Sequence, residues 1–465
     1  MDETLMASVP IEQRPRRKTS ARPPGPPNYF RISAGIAASK DYVGYFTMCA
    51  ERYGDVSFNN FLGLPTVFIN HPELIESVLV TNYHKFRKSR DYQSLRLVLG
   101  NGLLTSEGDF WKRQRKLAQP AFHRERIAGY SKVMLQSTAA MLQSWHGGET
   151  RDIHQDLMRL TLEIVARCLF QADVSHVAGL TGEALDAAMR AHILRAKTGF
   201  YLPHWWPHPV LIRYRRKVAQ LSAVIEDMVN QRRQSDESSD LLGMLLGARD
   251  EDGRAMDARQ IRDEVMTLFL AGHETTANAL SWMFYLLDRN PAADAALHRE
   301  LDEVLGGRAP QMQDIPNLPY TAMVIKEAMR MYPPVWGMGR ESNEPFELGG
   351  YRFEKDTYIL ISQYITHRDA RFFPEPERFR PERWGEEESG KIPRFAYFPF
   401  GAGPRVCIGA AFANVEITLL LAAIAQQYRL RLDPAQKVAM LPSITLRPKY
   451  GMRMCLEPRG SRALA

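Results

Sequence analysis

Cysteine is scarce in this sequence: Cys49, Cys168, Cys407 and Cys455 are the only four among 465 residues. Their wide separation excludes the close pairs of a zinc site, and their number excludes a disulfide-stapled secreted scaffold. Long apolar runs are missing as well. No stretch of about 18 consecutive apolar residues occurs, and the first thirty positions lack the apolar centre of a signal peptide. The expectation is a cytoplasmic protein without a transmembrane anchor. An acidic excess is also absent, the net charge being +7. No zinc-finger spacing or RNA-binding aromatic signature accompanies the basic residues, which argues against nucleic acid as a partner.

What is present is material for a large core. With 45% hydrophobic and 24% charged residues, the balance is that of a globular protein rather than a disordered chain. No linker divides it, so residues 28–465 are expected to form a single domain. Residues 1–27 read as a basic, proline-rich tail: Arg14, Arg16, Arg17 and Lys18 lead into the stiff run Arg22–Pro27.

Apolar residues at three- and four-residue spacing predict helices over 71–83, 109–119, 131–145, 155–171, 216–234, 259–290, 293–305, 319–332 and 409–427. Short strands are expected over 55–61, 66–70, 345–348, 351–353 and 357–361, with Gly349-Gly350 turning a hairpin. A last pair, 445–448 and 451–456, is expected to close the C-terminus. The fold class is therefore mainly α with small β-sheets. Its longest helix, about 259–290, opens at Asp257 with Gln260 three residues on and stops at Asn290-Pro291. Its middle reads Ala271-Gly272-His273-Glu274-Thr275-Thr276, a poor composition for a helix interior.

One cysteine stands apart by its neighbours. Phe400-Gly401-Ala402-Gly403-Pro404-Arg405-Val406-Cys407-Ile408-Gly409 is a glycine-rich loop directly before an apolar helix. A helix N-terminus favours thiolate over thiol, and glycines let backbone approach a flat cofactor. A buried free cysteine in a tight turn is the alternative reading.

This loop resembles the haem-binding segment of the cytochrome P-450 superfamily, Phe-x-x-Gly-x-Arg-x-Cys-x-Gly, with all five fixed positions present. The resemblance runs from about Pro23 to the C-terminus, its motifs in the family's order. It implies a cytochrome P-450 fold, with haem b between the long central helix and the loop, Cys407 as metal ligand, and Phe400 and Gly401 beside the cofactor. In that family the thiolate donates electron density that favours O–O cleavage. Glu327-Ala-Met-Arg330 is similar to the buried Glu-x-x-Arg pair that supports the loop. Arg383 is assigned as its third member, Arg378 competes for that role, and Trp384 stands where phenylalanine is usual. Trp111 and Arg115 match the family's pair at a haem propionate, with Arg340 and Arg405 as further carboxylate partners.

Ala271–Thr276 resembles the oxygen-binding segment, where a small residue admits oxygen and a threonine hydroxyl leaves the helical pattern. Thr275 and Glu274 are then the catalytic pair, positioning water and feeding protons into an apolar cavity. The alternatives are a hydroxyl bonded back to its own helix and a surface carboxylate. Family position places Tyr92, Leu95, Leu268, Phe269, Ala271, Val335, Trp336 and Ile444 near the substrate, almost all apolar.

The implied activity is monooxygenation of a lipophilic molecule such as a fatty acid, terpenoid or steroid. A peroxide-using or isomerising relative, and a non-catalytic haem binder, are the alternatives; the Glu274–Thr275 pair and the lack of an output domain speak against them. The stretch after Cys407 is too short for a fused reductase. Electrons are thus expected from NAD(P)H through a ferredoxin or flavodoxin with its reductase, serving a monomer. The segment Lys112, Arg113, Arg115, Lys116, Arg124 and Arg126 is either a patch for that acidic partner or a solvated helix face. The aromatic stretch 200–209 falls where the family has a mobile lid. It is expected to pack down rather than enter a membrane, because no anchor helix accompanies it.

Overall fold

The computed structural model describes residues 22–27, 33–61, 63–171, 178–198, 202–203, 205–233, 240–249 and 252–459. Most of the proline-rich tail, and Phe200, Tyr201 and His204 of the aromatic stretch, lie outside them.

The central helix, Ala258–Arg289, organises the molecule. Asp257 caps it by accepting a hydrogen bond from the Gln260 N–H at 2.8 Å. At about 1.5 Å per residue it runs some 48 Å, and most of its residues are buried, so apolar neighbours are needed on nearly every face. Helix Ile153–Phe170 packs along one side and helix Ala410–Gln427 along another. The latter is the one described helix long and apolar enough to cross a membrane; 61% of it is buried inside the protein.

The strands form four small sheets among the described residues. The largest has five strands in the order Val56–Phe61, Leu64–Ile69, Tyr358–Ile361, Met338–Ser342, Phe86–Lys88. Gly349-Gly350 turns the hairpin Phe346–Leu348/Tyr351–Phe353, both glycines at positive φ. The C-terminal strands depart from expectation. Leu446–Pro448 pairs with Met440–Pro442, whereas Arg453–Pro458 pairs with Tyr428–Leu432 and Thr150–Asp152. They sit in separate sheets because the second is claimed by partners distant in sequence, including one some 300 residues away.

Further helices were not visible in the periodicity, notably Ser33–Lys40, Tyr42–Tyr53 and Ala178–Lys197. The last has little amphipathic contrast because alanines occupy both faces. It matters because Leu185, Ala188 and Ile193 roof the main cavity.

The aromatic stretch also differs from expectation. Trp205 is 72% exposed and Trp206 46% exposed. The turn closed by Trp206 N–H to Pro203 O at 3.2 Å projects both rings outward, where they meet each other at 6.0 Å between centroids.

Candidate active site

The Cys407 loop is held from two directions. Its own backbone closes it, Cys407 N–H donating to Phe400 O at 2.9 Å and Val406 N–H to Gly403 O at 3.0 Å. Gly403 has φ +69°, and a Cβ there would collide with the Leu79 carbonyl, so this turn admits only glycine. From the side, Arg115 Nη1 donates to Val406 O at 2.7 Å. A buried ionic cluster is linked to the segment before the loop through His367, whose O accepts from Arg330 Nη1 at 2.9 Å and whose Nε2 accepts from Phe398 N at 3.0 Å. Glu327 accepts from Arg330 Nε and Nη2, each at 2.9 Å, from Arg383 Nε at 3.2 Å, from Trp384 Nε1 at 2.9 Å and from Arg380 N at 3.0 Å. Arg383 rather than Arg378 reaches Glu327, since Arg378 turns outward to Glu375. The indole N–H explains Trp384: phenylalanine could not supply that donor.

Cys407 ends one wall of a cavity of about 1190 Å³, and Ala271, Glu274 and Thr275 of the central helix line it as well. The thiol surface is accessible, and the space it opens onto is this cavity. Burial raises its pKa, outweighing the Gly409 N–H and the Arg115 charge that lower it. The helix-end N–H and the Arg115 charge act in the direction that the sequence suggests, and burial acts against them. Desolvation wins over the dipole, and a thiolate here needs a cation to replace its proton.

Whether the residues fit haem is decided at the cavity's basic end. Arg340 is 5% exposed, lies on an interior strand, and makes no ion pair among the described residues; its Nη1 donates to Gly339 O at 2.8 Å. Arg405 pairs with Glu107 at 2.8 Å, yet its buried Nε has no partner. Lys88 is buried beside them, its pKa lowered to about 7 by burial, with Nζ donating to Leu103 O and Ser106 O. Buried guanidinium groups with unspent donors, beside Trp111, suit a cofactor carrying carboxylates, and Cys407 suits its iron.

On the central helix, two expectations change. Thr275 Oγ1 donates to Ala271 O at 2.8 Å, so the hydroxyl is bonded back along an unbroken helix while facing the cavity. Gly272 lines the cavity and is also tightly packed: a Cβ there would come within 2.8 Å of Val165 Cγ2. Phe269 does not line the cavity. It is fully buried against Phe170, because a residue next to Leu268 points about 100° away on a helix whose 268, 271 and 275 positions share the cavity face. Tyr92, Leu95, Leu268, Ala271, Val335, Trp336 and Ile444 all line it.

Glu274 is buried but not isolated. Its Oε1 accepts from Thr445 Oγ1 at 2.7 Å and Arg447 Nε at 3.2 Å, and Arg447 continues to Asp186 at 3.0 Å near the surface. Neither Arg447 nor Glu107 carries a sequence signal, since each meets its partner far along the chain. Glu416 is a further buried acid, accepting from Thr276 Oγ1 at 3.0 Å.

An enclosed cysteine facing a threonine-bearing helix across a cavity with unspent arginine donors defines a haem-thiolate oxygenase. The chain belongs to the cytochrome P450 family, whose model matches residues 23–456. It is a cytochrome P450 monooxygenase, with haem as cofactor and dioxygen as co-substrate. Similar proteins include "Cyclooctatin synthase" of Streptomyces melanosporofaciens, 40% identical over 89% of this chain and 91% of that protein. "Pentalenene oxygenase" of Streptomyces avermitilis is 35% identical over 84% and 87%. Among solved structures, "Retinoic acid bound cyanobacterial CYP120A1" superposes with a TM-score of 0.82 at 25% identity, covering 90% and 95%.

Proposed function

We propose that this monooxygenase oxidises a terpenoid within residues 28–465 acting as one catalytic domain in the cytoplasm. The observation that carries the reading is the cavity: one large chamber, lined by Leu95, Val98, Leu268, Val335 and Ile444, with Cys407 in the same chamber. Such a wall grips a hydrocarbon by apolar burial, and relatives named for cyclooctatin, cyclooctat-9-en-7-ol and pentalenene fit a substrate of that kind.

Each residue has a role in this reading. Cys407 would ligate the haem iron, Arg340, Arg405, Arg115 and Trp111 would hold the haem carboxylates, and Phe400 and Gly401 would lie beside the cofactor. Bound haem supplies the activation of dioxygen. Thr275 Oγ1, its proton committed to Ala271 O, presents lone pairs to the cavity and holds a water there by accepting its hydrogen bond. Glu274 passes protons inward. Its Oε1 is committed to Thr445 and Arg447, so Oε2, which has no protein donor among the described residues, is the oxygen that delivers them. Glu327, Arg330 and Arg383 fix the loop without touching substrate.

Electrons from NAD(P)H reach the monomer through an acidic ferredoxin or flavodoxin. The helix Gly108–Ala118 runs beside the Cys407 loop, and Lys112, Lys116, Arg124 and Arg126 are exposed there. Arg113 instead turns inward to Gln260 and the Ala255 carbonyl. The test is reconstitution with a plant-type ferredoxin, its NADPH-dependent reductase, a set of cyclic terpenes and isotopically labelled dioxygen. One labelled oxygen in the product is expected, and slower reduction at low salt with Lys112→Glu/Arg124→Glu. Fatty acids oxidised in preference to every terpene would overturn the substrate assignment.

A further inference from the structure

The chamber that holds Cys407 also carries, on a mostly apolar wall, an acid with no part in proton delivery. Asp91 lies in the short helix Arg90–Ser94 and lines the cavity beside Tyr92 and Leu95. Three cations stand close to it in sequence, and each is committed elsewhere. Arg87 and Arg90 are bonded to Glu341 at 3.0 and 2.6 Å, and Lys88 Nζ donates to Leu103 O and Ser106 O, each at 2.8 Å. Asp91 itself makes no ion pair among the described residues. What reaches its carboxyl comes from its own turn, the Ser89 hydroxyl and the Asp91 and Tyr92 N–H groups. A carboxylate offers about four acceptor positions, so one remains for a donor inside the cavity.

The five-stranded sheet brings further polar tips to the same place. A Cβ at Gly339 would collide with the Ser89 and Tyr358 hydroxyls, so the glycine is what lets those two groups meet beside Asp91. Tyr42, Tyr92 and Tyr358 line the cavity too; burial raises the pKa of each, and the charge of Asp91 adds to the rise. The chamber thus has a polar corner opposite a wall of Val98, Leu268, Val335 and Ile444. A ligand that matches both has a hydrocarbon body and a hydrogen-bond donor, and among terpenoids that donor is a hydroxyl.

The geometry points to a substrate anchor: we propose that Asp91 accepts a hydrogen bond from a hydroxyl that the substrate already carries, so that the enzyme takes a terpenoid alcohol in preference to the bare hydrocarbon. The proposal rests on the terpenoid reading and adds to it the functional group. A buried acceptor left without a donor is penalised, so a hydrocarbon leaves Asp91 unpaired where an alcohol satisfies it. Bonding at one point also fixes which carbons are presented on the side of the chamber where Cys407 lies. The preceding chemistry follows from this. A hydroxyl enters a terpene when a cyclase quenches its carbocation with water or when an earlier oxygenase inserts oxygen, and this enzyme acts on the product of such a step.

The test titrates the haem-loaded full chain with cyclic terpenes paired with their alcohols, cedrene with cedrol and abietadiene with abietadienol, and with the steroid pair androstane and androstanol, following the haem spectral shift. At least one terpene alcohol should bind about tenfold or more tighter than its hydrocarbon. Asp91→Leu should weaken that alcohol at least about tenfold and leave the hydrocarbon within about twofold, with the reduced carbon monoxide spectrum unchanged as the check on folding. Asp91→Asn, whose amide oxygen still accepts, should recover part of the preference. A preference that survives Asp91→Leu overturns the proposal. So does an equal loss for alcohol and hydrocarbon, which would make Asp91 a structural residue, and so does a terpenyl amine that binds more tightly than the alcohol, which would make it a cation site. An Asp91-dependent preference confined to the steroid pair keeps the anchor and overturns the terpenoid reading. Oxidation of the terpene hydrocarbons with no preference for their alcohols keeps that reading and overturns the anchor.

Discussion

Removing the charge of Glu327 should harm the protein far more than removing that of Arg383. Five donors converge on the two Glu327 oxygens, and Glu327, Arg330 and Arg383 are all within 2% of complete burial. The cluster carries one negative and two positive charges. Glu327→Gln leaves two buried guanidinium groups facing a neutral amide whose own N–H₂ repels their donors. An uncompensated buried charge of this kind costs about 3–5 kcal/mol, a large part of the ~5–15 kcal/mol that holds a folded domain. Arg383→Met instead leaves the two-bond Glu327–Arg330 pair balanced, losing the bonds to Glu327, Pro374 O and Glu375 O without leaving a buried charge unpaired. Urea unfolding of both variants, with haem retention followed by absorbance, measures the difference. Equal costs, or a larger one for Arg383→Met, would refute the charge argument.

Two further outcomes follow from the geometry. Leu268→Ala should change substrate affinity, read as the haem spectral shift on titration, with a modest loss of stability. Phe269→Ala should leave that affinity nearly unchanged and cost about 3–5 kcal/mol in unfolding, since its ring fills core rather than cavity. Burial raises Glu416 to about 8, so the folded protein holds a proton there that the unfolded chain gives up above its ordinary value of 4.5. The stability from this group is full below that value and is lost as pH rises through the window up to about 8. Glu264, also raised to about 8 by burial, behaves likewise. Thermal midpoints of Glu416→Gln should therefore decline less steeply between about pH 5 and about pH 8 than those of the parent, and an identical slope would contradict the assignment.

The extent to which the sequence was readable follows the range of the interactions. Periodicity located the central helix to within a residue at each end, because its pattern, its Asp257 cap and its Asn290-Pro291 stop are all local. The Cys407 loop was readable for the same reason. Strands such as Phe86–Lys88 and Thr150–Asp152 have three residues each and exist only through partners far along the chain, so no local pattern announces them. The same limit explains the misjudged C-terminal pair. At the site, residue types were visible but not their commitments. Nothing near Glu274 shows that Thr445 and Arg447 hold it, nor does anything near Arg405 show that Glu107 does. The burial that acts against the helix end at Cys407 is a property of the fold, which the sequence does not display. Trp205 and Trp206 failed the opposite way: an apolar pair reads as core until the turn beneath it is seen.

The central claim is that Cys407 ligates the haem iron as a thiolate. Its most direct test is the absorption spectrum of the reduced carbon monoxide complex, for the parent and for Cys407→His. The parent should show the strongly red-shifted Soret band of thiolate ligation, and the variant should lose it while gaining the shorter-wavelength band of a histidine-ligated haem. A histidine-type band in the parent, or a red-shifted band that persists without Cys407, would contradict the account.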